Sequence, residues 1–289
     1  MPEPGRLRRV VSWVDAGKDI ALHEGMRLLP TPAVSALGSG IALVASRFRL
    51  KGQVARSMRA LSHLRPEMDE AARHALAVTN LRNIGRSYAE FSCLHRAARE
   101  GRIAVEGREN ITAPNAVLAL LHLGNWEAGM VVIDSLGLRI RSIYQPPASA
   151  TQLAIAMRVR RSLKNDAIRG DAMALREALR VLARGDTMVG VFVDEYKGGR
   201  VNAPAFGRAP AARGNIAMAA RLALRAGVPL VPAYMTREPG PLFRAHFLPP
   251  VPLGGDPARD QAAIEAVIEP VVRRHLDQWL MLSAFRPDR

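Results

Sequence analysis

The run AVLALLHLGNWE, residues 116–127, decides how the chain is read. Its first eight positions are apolar except for His122, a length and composition that fit a strand buried on both faces, and Gly124 and Asn125 then signal a turn and a helix start. A helix is expected over 126–136. Outward from this unit the same alternation recurs. Residues 138–144 (LRIRSIY) alternate like a strand, and Gln145-Pro146-Pro147 ends it. A helix over 171–184 is closed by Gly185 and leads to a second buried strand, MVGVFV at 188–193. A small-residue helix at 214–226, strands at 228–235 and 242–248, and a helical region at 256–282 interrupted at Pro270 complete the series. Strands alternating with helices predict the α/β class: a mainly parallel central sheet flanked by helices. Residues 1–100 read differently, as Arg/Ala/Leu-rich helix with few strand-like runs, including a helix started by Pro66 with acidic residues in its first turn. The expected organisation is an N-terminal helical arm over 1–100 and a catalytic α/β domain over 101–289.

A chain of 289 residues that is 48% hydrophobic can bury a substantial core, and neither repeats nor low-complexity segments interrupt it. One cysteine, Cys93, cannot form an intrachain disulfide and reads as a small buried hydrophobe in YAEFSCLH. The net charge of +15 favours an anionic partner, either nucleic acid or membrane. Aromatic residues are only 5%, few for base stacking, and no nucleic-acid-binding signature is present, so no nucleic acid is expected. Basic residues at 6, 8, 9 and again at 47, 49, 51, 56 and 59 bracket an uncharged stretch, LLPTPAVSALGSGIALVAS at 28–46. A helix after Pro32 would have about 14 residues and rise roughly 21 Å, short of a hydrocarbon core near 30 Å. It suits the membrane surface better than a span. The amino end lacks the order of a signal peptide.

The chemistry concentrates at His122 and Glu127. The histidine ends a predicted buried strand, where open α/β sheets hold their ligands, and the turn at Gly124 and Asn125 can bring the carboxylate back toward the ring. General base catalysis asks for such a pair, a group titrating near neutrality and a partner that fixes its tautomer. Spacing alone is a weak signal and favours a structural histidine with a solvent-facing glutamate. The remaining histidines lack metal-site neighbours, so no metal is expected, and nucleotide-binding loops and a G-x-S-x-G elbow are absent.

HLGNWE after an apolar strand resembles the H-x-x-x-x-D/E motif of the bacterial lipid A biosynthesis (late) acyltransferases, within the lysophospholipid acyltransferase superfamily. The likeness runs along nearly the whole chain. It takes in NIGRSYAEF (83–91), GRENI (107–111), Tyr144-Gln145-Pro146, the cluster Arg158, Arg160 and Arg161, Val193-Asp194-Glu195, and Ala205-Phe206-Gly207. Gln145 and Glu195 depart from the family's common arginine and glutamine. The ending QWLMLSAFRPDR keeps Gln278-Trp279 but not the usual Trp-x-His-Arg-Arg.

The resemblance implies an O-acyltransferase of lipopolysaccharide biosynthesis on the cytoplasmic face of the bacterial inner membrane, peripheral or monotopic. Its donor would be an acyl carrier protein or coenzyme A thioester used as co-substrate, with no cofactor. Its acceptor would be a lipid A precursor or a related anionic glycolipid. His122 would take the acceptor's hydroxyl proton and Glu127 would hold the ring. Backbone groups at Gly124 and Asn125, or an arginine of 158–161, would face the developing oxyanion. Arg158, Arg160 and Arg161 would also suit a phosphate, Asp194 would position an arginine or the acceptor, and Arg213 is a further phosphate candidate. Two alternatives stand beside this reading: a lysophospholipid or glycerolipid acyltransferase, and a non-catalytic basic lipid-binding protein. The oligomeric state is not legible.

Overall fold

The computed structural model describes residues 23–144, 166–208, 210 and 214–287. Seven strands form the central sheet: β1 (Ile103–Glu106), β2 (Val117–Leu120), β3 (Ile140–Tyr144), β4 (Asp166–Arg169), β5 (Met188–Phe192), β8 (Leu230–Glu238) and β9 (Leu242–Phe247). Their order is β1-β9-β8-β2-β5-β3-β4, and every neighbouring pair is parallel except the β8–β9 hairpin. A small antiparallel pair, β6 (Tyr196–Lys197) and β7 (Arg200–Val201), stands apart. The mainly parallel α/β fold expected from the alternation is therefore present.

β2 lies at the centre, and its burial explains its unbroken apolar sequence. Val117 and Ala119 face one layer with α6 (Ala174–Leu182), α7 (Asn215–Ala226) and α8 (Pro257–Arg274), packing among Ala178, Leu222, Ile264 and Ile268. Leu118 faces the other, with α4 (Leu94–Arg99) and α5 (Ala128–Ser135), among Val131, Val132, Met235 and Phe243. With helices on both faces there is no solvated side to select alternate polar residues.

Two expected boundaries are corrected. The helix expected from Pro66 begins at Glu70, because Asp69 is extended and its carboxylate accepts the Ala72 N–H at 2.7 Å. The interruption expected at Pro270 is not there, and α8 runs through it. Ile264, Ile268, Val271 and Val272 are buried along its length, so tertiary packing outweighs the hydrogen bond that proline removes.

The amino-terminal helices are α1 (Thr31–Arg47), α2 (Lys51–Leu64) and α3 (Glu70–Glu90). α1 has 17 residues and carries proline in its first turn. α1 and α3 cross at Gly38 and Gly85. A Cβ on either would lie 2.5 Å from the other's carbonyl oxygen, so only glycine permits this approach. α3 in turn is fixed to the carboxyl-terminal segment: Asn80 Nδ2 donates to the carbonyls of Leu276 and Trp279, and Asn83 Nδ2 to that of Asp277.

Candidate active site

The parallel register places the site. Leu120 of β2 pairs with Phe192 of β5, so the residues two beyond each strand end, His122 and Asp194, emerge side by side from the same edge of the sheet. His122 Nδ1 lies 2.8 Å from Asp194 Oδ1, and the backbone N–H of His122 donates to Asp194 Oδ2 at 2.9 Å. Trp279 Nε1 donates to the same Oδ2 at 2.9 Å. Asp194 is fully buried, whereas the His122 side chain keeps 19% of its surface exposed. Phe192 stacks on the ring with 4.0 Å between centroids, and Trp126 meets it edge-on at 5.7 Å. A carboxylate accepts only, so Nδ1 carries the proton in this contact and neutral His122 is left with a basic Nε2.

An apolar cleft adjoins the ring through Trp126 and Phe192. It is walled by Leu118, Leu120, Met130, Ile133, Ile140, Met235 and Phe247, and Glu127 also lines it. Glu127 directly precedes α5. The orienting contact on Nδ1 thus belongs to Asp194, to which the sequence reading had given an arginine or the acceptor. Glu127, to which that reading had given the ring, stands on the cleft wall.

The turn after His122 is locked by a second buried network. Gly124 has φ +56°, and a Cβ there would lie 2.8 Å from the Met235 carbonyl oxygen. Its carbonyl accepts the Ser87 hydroxyl at 2.7 Å, and its N–H points to the Gln278 carbonyl at 3.3 Å. Asn125 is fully buried and its Nδ2 donates to Glu90 Oε2 at 3.0 Å. Glu90 receives Arg237 as a bidentate pair, at 2.7 and 2.6 Å, with side chains 1% and 6% exposed. Gln278 closes the ring of contacts by exchanging hydrogen bonds with the Arg237 backbone, at 2.7 and 3.1 Å. The Gly124 N–H, one of the backbone groups expected to face the oxyanion, is therefore engaged by the Gln278 carbonyl, and the Asn125 side chain by Glu90. Asn125 Oδ1 finds no partner among the described residues.

Ser87, Glu90, Arg237, Gln278 and Trp279 were missed as site-supporting residues. A signal existed for α3: Asn80, Asn83, Ser87 and Glu90 recur at helical spacing of three or four beside the buried Ala77, Leu81 and Ile84, an unusual polar stripe on an inward face. Nothing local marked Arg237, and Gln278-Trp279 stood out only as the retained part of the family's ending. Arg158, Arg160, Arg161 and Arg213 lie outside the described residues, as does Gln145-Pro146.

Other titratable groups follow their surroundings. Cys93 is buried and burial pushes its thiol up, in keeping with the hydrophobe read from sequence. Burial pulls His246 and His275 down. Burial also pushes Glu265 up to about 7, with the Ala205 N–H and Arg208 opposing the rise and Glu269 adding to it, and Oε1 has no hydrogen-bond partner among the described residues. No group of three or more His, Cys, Asp or Glu among the described residues could hold a metal ion.

The model of the bacterial lipid A biosynthesis acyltransferase family matches residues 6–284. The chain belongs to the bacterial lipid A biosynthesis acyltransferase family. Membership makes it an acyltransferase, and the HLGNWE segment and the Asp194 strand end lie within the matched region. No curated protein sequence matches the chain. Among solved structures, the 1-acyl-sn-glycerophosphate acyltransferase of Thermotoga maritima is 18% identical, with 86% of this chain and 95% of that one covered and a TM-score of 0.38.

Proposed function

We propose that this acyltransferase moves a fatty acyl chain from an acyl carrier protein or coenzyme A thioester to a hydroxyl of a lipid A precursor or related glycolipid, with His122 as general base. The observation that carries the reading is the His122 Nδ1–Asp194 contact at 2.8 Å, with the ring partly exposed beside an apolar cleft. Held in this tautomer, Nε2 takes the acceptor's proton as its oxygen attacks the thioester carbonyl carbon. The tetrahedral intermediate then expels the thiolate with cleavage of the C–S bond, and the imidazolium returns the proton to sulfur. Buried Asp194 stabilises the transient imidazolium, and Glu127 is an acid on the wall of the cleft. The acyl chain suits the cleft, whose walls are almost wholly apolar. The reaction needs no cofactor or metal, because the thioester supplies the activated carbonyl.

The place of action we assign is the cytoplasmic face of the inner membrane, with anionic lipid as partner. α1 supports it by an inverted pattern. Its inward face is mostly small and polar, Thr31, Ser35, Gly38, Ser39 and Ser46 with Val34 and Ala42 among them, while Leu37, Ile41 and Val44, with Phe48 just beyond, are exposed and apolar. Arg47, Arg49 and Lys51 follow, where anionic headgroups would meet them. No single described helix is long and apolar enough to cross a membrane, and α1 and α2 meet at 90°.

The test is acyl transfer by the full chain from acyl carrier protein thioester to lipid A precursor, read by mass spectrometry, with flotation on anionic vesicles. The wild type should add one acyl chain and float. His122→Ala should lose about 10²- to 10⁴-fold in rate while still floating. A fully active His122→Ala would sink the mechanism, and transfer to lysophospholipid alone would move the acceptor to glycerolipid chemistry.

A further inference from the structure

We infer that Trp279, outside the reacting groups, is a positioning residue whose indole N–H sets the orientation of the Asp194 carboxylate. The inference rests on His122 acting as the base.

The carboxylate of Asp194 has two oxygens with different duties. Oδ2 accepts two donors, the His122 backbone N–H and Trp279 Nε1, each at 2.9 Å. Oδ1 faces the His122 ring at 2.8 Å. Rotation about the last aspartate torsion is soft and roughly two-fold, so an aspartate held by one bond can turn its oxygens away from a partner. Two fixed donors on Oδ2 remove that freedom and leave Oδ1 aimed at Nδ1. The backbone donor cannot do this alone, because it defines one contact and not the plane of the group.

Trp279 is itself immobilised. It is fully buried, its carbonyl accepts Asn80 Nδ2 at 2.8 Å, and its ring lies against Phe206 and Phe285 at 5.6 and 6.3 Å between centroids. The adjacent Leu280 N–H donates to the His122 carbonyl at 3.0 Å, and Leu123 and Trp279 form an antiparallel bridge. The carboxyl-terminal segment therefore grips both members of the pair, the histidine through its backbone and the aspartate through the indole. Packing alone would explain a large buried ring. It would not explain why the single polar atom of that ring lands on the carboxylate that contacts the base.

The deciding variant replaces Trp279 with β-(3-benzothienyl)alanine, which keeps the bicyclic shape and puts sulfur in place of the N–H. Trp279→Phe, which also opens a cavity, is its companion. Readouts are kcat and KM for the thioester, thermal unfolding, and the downfield Nδ1 proton resonance of His122, identified by its loss in His122→Ala. The isostere should unfold near the wild-type temperature and lose about tenfold or more in kcat, the value of roughly one hydrogen bond, with KM within about twofold. The Nδ1 resonance should broaden or move upfield. An isostere with kcat within about twofold of wild type and an unmoved resonance overturns the inference and leaves the ring a packing element. If the wild type transfers no acyl chain, the reaction reading fails by itself, and the resonance alone then decides whether the indole orients Asp194.

Discussion

The two sides of the Gly124 turn are both held by buried carboxylates, and the two are employed in opposite ways. Ahead of the turn, Asp194 meets an imidazole, a partner whose second nitrogen is left to accept a proton. Behind it, Glu90 meets the Arg237 guanidinium, a donor-only partner that grips both carboxylate oxygens, and the pair is sealed with Asn125 and Ser87 around it. The first arrangement is a site for moving a proton. The second is a fastening that keeps the turn, and with it His122 and Glu127, in one place.

Exchange of the first carboxylate should therefore damage chemistry, and exchange of the second should damage the fold. Asp194→Asn keeps the volume and one acceptor oxygen but presents an amide N–H to donors. Acyl transfer should fall by about 10²- to 10⁴-fold with the urea midpoint little changed. Equal losses of activity and stability would erase the distinction. Glu90→Gln leaves Arg237 charged, buried and unpaired, so unfolding free energy should drop by about 3–5 kcal/mol, measured by urea denaturation. A stable Glu90→Gln protein that has lost only activity would reassign the pair to the reaction.

A third buried carboxylate sharpens the contrast. Glu265 accepts one backbone N–H, and burial raises it from 4.5 to about 7 against the opposing pull of the Ala205 N–H and Arg208. The folded state then holds a proton that the unfolded state has released. Stability from this group is fully present below about 4.5 and is lost as pH rises to about 7, by about 3 kcal/mol. Denaturation at pH 5 and pH 8 should show that decline, and Glu265→Gln should flatten it. A wild type equally stable at both would mean that the group is ionised throughout.

Much of the fold was legible because it rests on local signals. The apolar run at 116–123 and MVGVFV gave β2 and β5, and Gly185 marked the end of the helical run at 171–184. Of the two boundary errors, one fell on a local signal, the Asp69 cap that starts the helix at Glu70, and the other where a long-range contact outweighed a local one. Pro270 is a helix breaker only until Ile264, Ile268 and Val272 bury the helix around it. At the site, His122 was legible because it closes a strand inside a recognisable segment. Its contact with Asp194 was not legible, because that residue is 72 positions away in the chain, whereas Glu127 at five is the acid a local reading offers.

The sequence by itself determined the α/β alternation, the histidine at a strand end and the apolar stretch of α1, since strand burial, turns and helix periodicity are properties of neighbours along the chain. Only the tertiary structure decided which carboxylate faces the ring. That choice is made by the register of β2 against β5 and by the carboxyl-terminal segment carrying Trp279 back to the sheet edge. Register and return are settled by packing of both sheet faces at once, which no short window of sequence contains.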